Sequence, residues 1–87
     1  LADILKQFPD NDLMVSGHTA LAGTAGARLQ LSQERARAVA EFLVQLGVRH
    51  AHQIFTQGFG AEKPIAPNTT EAGKARNRRV EITIMDR

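Results

Sequence analysis

Eighty-seven residues carry 11 Lys and Arg against 9 Asp and Glu, a formal charge of +2, so the basic pI of about 9.7 rests on a small imbalance and does not by itself point to nucleic acid. A chain of this length is expected to form one domain, residues 1–87, or a piece of a larger protein, and buries only about 60–65% of its unfolded surface. The lack of cysteine excludes a disulfide, a thiolate nucleophile and a Cys-ligated metal, and leaves the compartment open.

No apolar run approaches the ~18 residues of a membrane span, and the first residues do not read as a signal peptide. Any anchor or targeting segment is expected outside these residues. Leu1, Ile4, Leu5 and Phe8 are spaced as one helical stripe ended by Pro9, with Asp10-Asn11-Asp12 as a turn. Leu13 to Thr19 is short and β-prone, and its Gly17-His18-Thr19 end suggests a strand meeting a functional loop. The Ala- and Gly-rich run from Ala20 to Gln30 reads as that loop.

A helix is expected from Ser32, a plausible N-cap, to Leu46, with Gly47 as the residue that ends it. On a period of about 100° per residue, Ala36, Val39, Phe42, Leu43 and Leu46 form one apolar arc with Arg35 inside it. Arg35 therefore needs an account. It can lay its stem on apolar neighbours and keep its guanidinium in water, pair with an internal acid, or use its planar fork on a ligand carboxylate near a helix start.

Ile54 to Gly60 reads as a second strand, and Pro64 to Asn77 as a long polar connector. Val80, Ile82 and Ile84 alternate with Glu81 and Thr83 as a strand with one covered face. The order α-β-α-β-loop-β gives an α+β domain: a small mixed sheet with helices on one face and a parallel pair joined by a crossover. Three strands make a thin sheet, so a further strand is expected before Leu1.

Few chemical constellations survive this layout. Ser16, His18 and nearby acids have the residue types of a hydrolase triad, but the Gly-x-Ser-x-Gly elbow is absent, and His18 reads as a strand-end residue hydrogen-bonding the loop. His50 and His52 lack a third clustered ligand, so no metal and no cofactor is expected. Gly23-Thr24-Ala25-Gly26 matches a backbone-clamping Gly-x-x-Gly and Arg76, Arg78 and Arg79 could reach phosphates. That loop follows a strand end, however, and only 5% of the chain is aromatic, which leaves few stacking platforms. Arg78 and Arg79 are expected to open the last strand and point to opposite faces, where pairing with Glu81 or Glu62 would suffice to explain them. Asn68-Thr69-Thr70 reads as turn-forming residues.

Val15-Ser16-Gly17-His18-Thr19, Leu31-Ser32-x-x-Arg35-Ala36-x-x-Val39, Gly58-x-Gly60, Pro64, Asn68, Thr70, Gly73 and Asn77-Arg78-Arg79-Val80-Glu81-Ile82 stand in the order and spacing of one family. In these residues the chain resembles the OmpA-like C-terminal domain, a βαβαβ module that binds peptidoglycan in the periplasm and forms the C-terminal part of larger outer-membrane proteins. The resemblance implies a non-enzymatic cell-wall-binding domain, with peptidoglycan and other envelope proteins as partners. It places the ligand site at Thr19, Ala20, Leu21, Arg28, Arg35 and Arg79. In that family an Asp after Gly-His-Thr takes the ammonium of the diaminopimelate in the stem peptide, and the Arg of the Leu-Ser helix takes its carboxylate. Arg35 matches that arginine, Ala20 stands at the aspartate, and Arg28 replaces a usual Asn. Three outcomes follow: a wall whose third stem residue differs, such as ornithine; another carboxylate on Arg35; or a periplasmic scaffold that binds no wall.

Overall fold

Leu13 and Val15 are fully buried and alternate along β1 (Leu13–Gly17), the strand that organises the domain. The computed structural model describes Leu5 and residues 7–86; Leu1 and Ile4 of the expected opening stripe lie outside the described residues. β1 is the middle of three strands in the order β2-β1-β3. β2 (Ile54–Gly58) runs parallel to it with Leu13 opposite Ile54, and β3 (Val80–Ile84) runs antiparallel with Val15 opposite Ile82. The mixed sheet is thus the expected one, with each strand cut back to five residues.

The helix between the parallel strands, α1, spans Ala25–Gln45 and starts well before Ser32. Thr24 is the cap: its Oγ1 accepts from the Ala27 amide at 3.1 Å, satisfying a donor that the first turn would leave without a partner. The run from Ala25 that read as loop is therefore helical, because Ala favours a helix and one Gly is a tolerable cost. At the other end Gly47, at φ +73°, takes the left-handed turn, and the Val48 amide reaches back to the Leu43 carbonyl at 3.1 Å.

The face of α1 that meets the sheet keeps Ala36, Val39 and Leu43 of the expected arc but not its other members. Ser32, Ala36, Ala40 and Leu43 are buried, whereas Phe42 and Leu46 are 58% and 55% exposed. Small side chains let the helix backbone lie almost on the strands. A Cβ at Gly17 would collide with the Ser32 carbonyl, and one at Gly58 would come within 2.6 Å of the Gln33 amide nitrogen. Only hydrogen fits at those two strand ends.

The connector contains a second helix that its polar composition hid, α2 (Glu71–Asn77), capped by Thr70 Oγ1 on the Gly73 amide at 3.0 Å. Asn77 ends α2 with no exposed surface and is fully bonded. Its Oδ1 accepts from Ile65 at 2.8 Å and Ala66 at 3.0 Å, and its Nδ2 donates to Ala66 O and Asn68 Oδ1. A second buried polar anchor is Arg49, 4% exposed. It donates to Asn11 O at 2.7 Å, Val48 O at 2.8 Å and Leu5 O at 3.3 Å, and also to Phe8 O. This ties the start of the chain to the turn after α1. No described helix is long and apolar enough to cross a membrane.

The close approach has a testable cost. Gly17→Ala should destabilise the domain by about 1–3 kcal/mol or more, since a methyl there has backbone rather than a flexible side chain to displace. Gly26→Ala, where an added Cβ meets nothing within 4 Å, should raise stability by about 0.5–1 kcal/mol. Urea unfolding followed by circular dichroism separates the two.

Candidate functional site

The carboxyl ends of β1 and β2 meet the middle of α1, and several of the expected site residues collect there. His18 continues β1 by donating its amide to the Arg79 carbonyl at 2.9 Å, and Thr19 crosses to β2's end by donating to the Gly60 carbonyl at 2.8 Å. Gly60 is tied to α1, its amide donating to Ser32 Oγ at 2.9 Å while Ser32 Oγ donates to Leu29 O at 2.8 Å. Ser32 thus bridges strand end and helix rather than capping a helix start. Arg35 lies one turn further along α1, half-buried, and its Nη1 donates to the His18 carbonyl at 3.4 Å. Among the described residues no carboxylate lies within 4.0 Å of it. The guanidinium is aimed by a backbone carbonyl, and no described acid neutralises it.

Ala20 is 5% exposed and Thr19 is also buried, its hydroxyl donating to Ala20 O at 3.0 Å. Leu21 is 54% exposed, and its amide donates to Asn68 Oδ1 at 3.1 Å. Asn68 is held in turn by Asn77, so the loop from 64 to 70 fixes the loop after β1. Arg28 turns away to its own loop, with Nη1 on Gly23 O at 2.7 Å and Ala22 O at 3.5 Å.

Arg79 precedes β3 instead of opening it and is used internally. It bonds Glu81 Oε2 at 2.5 Å, Lys63 O at 2.9 Å and Asn77 O at 3.3 Å. Arg78 closes α2 and lies 4.0 Å from Glu71. Sequence reasoning treated Asn77 as a motif letter; its job of holding two loops at the site has no signature beyond an amide next to paired arginines.

His18 departs from the expected loop-bonding role. It is 3% exposed, and among the described residues neither ring nitrogen has a hydrogen-bond partner; Glu81 Oε2 lies 3.9 Å from Nε2. The ring stacks on Phe59 with centroids 5.4 Å apart, and Lys63 Nζ sits 4.4 Å from the Phe59 centroid. Burial, then the neighbouring Arg79 cation, lowers the His18 pKa below its ordinary 6.5, against the opposing pull of Glu81. The Arg79 hydrogen bond lowers the pKa of Glu81. His50 and His52 stack on each other at the surface, 5.5 Å apart, and no described cluster of three His, Cys, Asp or Glu could hold a metal. Nothing in this arrangement joins a nucleophile to a base.

The OmpA family model matches residues 1–78. The chain is 45% identical over 84 residues to the peptidoglycan-binding protein ArfA of Mycobacterium tuberculosis (strain ATCC 25618 / H37Rv), covering 97% of this chain and 26% of that protein. It is 46% identical to the probable lipoprotein YiaD of Escherichia coli K12, covering 97% of this chain and 38% of that protein. Among solved structures, the peptidoglycan-associated lipoprotein from Burkholderia pseudomallei superposes with a TM-score of 0.85 at 38% identity, covering 97% of this chain and 70% of that one. The chain therefore spans between a quarter and two-fifths of these two curated relatives.

The burial of His18 makes stability fall with acid. With its folded pKa lowered, the unfolded chain binds the extra proton, so this stability is present above about pH 6.5 and is lost as pH falls through the folded value. Glu81 adds a loss in the same direction below 4.5. Urea midpoints should decline from pH 7 to pH 5, and His18→Phe, which keeps a ring against Phe59 without a titrating group, should flatten that decline.

Proposed function

This chain belongs to the OmpA family, and from that premise we propose that it is a non-catalytic cell-envelope domain that takes a carboxylate of a wall stem peptide on Arg35, with no acid at position 20 to receive an ammonium beside it. The observation that carries the reading is the Arg35 guanidinium, directed by the His18 carbonyl to the end of β1 with no described carboxylate in reach. Such a fork retains donors for a bidentate anion. Ala20 offers only a buried methyl where the family carries an acid.

The sign of this change narrows the ligand. A guanidinium without its acid selects a docking end that is anionic or amidated at the amine, and works against a lone ammonium such as that of ornithine. The similarity to ArfA and to a peptidoglycan-associated lipoprotein supports peptidoglycan as the source of that carboxylate and the periplasmic side of the outer membrane as the place. Arg79 serves the site indirectly by fixing the strand end through Glu81.

Two substitutions test this. Arg35→Ala should abolish sedimentation of the domain with purified sacculi while leaving the circular dichroism spectrum unchanged. Ala20→Asp should tighten binding of diaminopimelate-containing fragments by about tenfold, the lower end of what one charge-assisted hydrogen bond contributes. If Arg35→Ala binds sacculi as well as the parent, the scaffold reading replaces this one.

A further inference from the structure

β2 forms one edge of the sheet, with β1 on one side and no described strand on the other. The Phe59 amide donates to Gly17 O, so by alternation Phe55 and Gln57 bond to β1, and the Thr56 amide and the Ile54 and Thr56 carbonyls point off the edge. Such a row of donors and acceptors is a template for another strand, and proteins commonly blunt it with a lysine, a proline or an inward charge. Ile54-Phe55-Thr56-Gln57-Gly58 has none of these. Phe55 is 46% exposed; Ile54 packs against the core, so Phe55 stands on the opposite face of the sheet.

The flank of α1 above this edge is self-complementary. Gln33 lies beside Gly58, and α1 lines the grooves along β2 with Arg37, Glu41 and Val44. From Gly58 back to Phe55 is about 10 Å, the rise of roughly six to seven helical residues. Phe55 therefore sits beside Val39 and Ala40, with Arg37 and Glu41 to either side. Both charged residues are exposed, and neither has an opposite charge within 4.0 Å among the described residues. A two-fold axis through Phe55, perpendicular to the sheet, sets Arg37 of each copy opposite Glu41 of the other. An axis through Thr56 would set Arg37 against its own copy.

The helices fit the same axis. α1 packs on both β1 and β2, about half a strand spacing inside the edge. Strands paired about 4.8 Å apart then bring the two α1 axes to about 10 Å, the separation of packed helices.

We propose that two copies of this chain join antiparallel through β2, Phe55 opposite Phe55, in one continuous sheet beneath a pair of antiparallel α1 helices. The Thr56 amide of each copy donates to Ile54 O of the other, and Arg37 pairs with Glu41 across the axis. The interface is isologous. Arg35 lies on the other flank of α1, about 160° around the helix from Arg37, so this surface is separate from the carboxylate anchor described above.

Sedimentation equilibrium between about 1 μM and about 1 mM should show a reversible monomer–dimer equilibrium. Arg37→Glu and Glu41→Arg should each weaken the dimer by about tenfold, the scale of two exposed ion pairs lost and reversed. Combining the two should restore it, a pattern that loss of fold cannot produce. The chain has no cysteine, so Phe55→Cys should yield a disulfide-linked dimer on mild oxidation, because residues opposed in this register stand about 4.5 Å apart between Cα atoms. Gln57→Cys, about 13 Å from its own copy across the axis, should not. A chain that stays monomeric throughout that range overturns the proposal, as does a dimer that ignores the charge exchange or links through position 57 instead of 55. Arg35→Ala should leave the dimer intact, so failure at Arg35 and failure at β2 are read separately.

Discussion

The domain depends on how closely α1 can approach the carboxyl ends of β1 and β2. At Gly17 and Gly58 the helix backbone around Ser32 occupies the space a side chain would need. Ser32 converts that proximity into bonds, donating to Leu29 and accepting from Gly60. The alternative, a thicker interface filled by Phe or Leu, would bury more apolar area. It would also lift Arg35 away from the His18 carbonyl, and with it the link between helix and loop that makes a site. Packing with small residues sacrifices some burial, at roughly 25 cal/mol per Å², for a fixed position of the strand ends.

That choice explains which parts of the fold were legible. Period-two alternation at Val80–Ile84 and the short apolar run at Leu13–Gly17 identify strands because side chains in a sheet must alternate between faces. Gly47 marks the end of α1 because the chain there needs a positive φ. The start of α1 was not legible, since Ser32 and Thr24 are both chemically able to cap and composition cannot tell which hydroxyl has an amide three residues on in reach. The helix face was only partly legible for a related reason: of the arc, Ala36, Val39 and Leu43 meet the core, but hydrophobic size also picks Phe42 and Leu46, which are exposed, and passes over Ser32 and Ala40. The seven-residue α2 is too short and polar to show a periodic signal, and its stability comes from Asn77 and the Thr70 cap, which are tertiary and local contacts respectively.

Site residues were legible to different degrees for physical reasons. Arg35 stood out because a charge within an apolar stripe demands a partner, and the structure places it beside the end of β1. Its described partner is a carbonyl, which no pattern of acids in the sequence could have indicated. Arg49 gave no signal at all, because its acceptors are backbone carbonyls of Leu5, Phe8, Asn11 and Val48, brought together only by the folded chain.

The arginines divide by what satisfies them, and the division bears on function. Arg79 and Arg78 face the carboxylates of Glu81 and Glu71, so binding a ligand anion there would compete with an existing ion pair. Arg49 is buried and wrapped in carbonyls, which leaves no access. Arg35 and Arg28 instead lean on carbonyls from one side only, a contact that orients a guanidinium while its charge stays intact. A carbonyl neutralises nothing, and these orienting bonds cost far less to retain than an ion pair costs to break. Among the described residues neither has a carboxylate within 4.0 Å, so a carboxylate arriving at either would displace no existing ion pair.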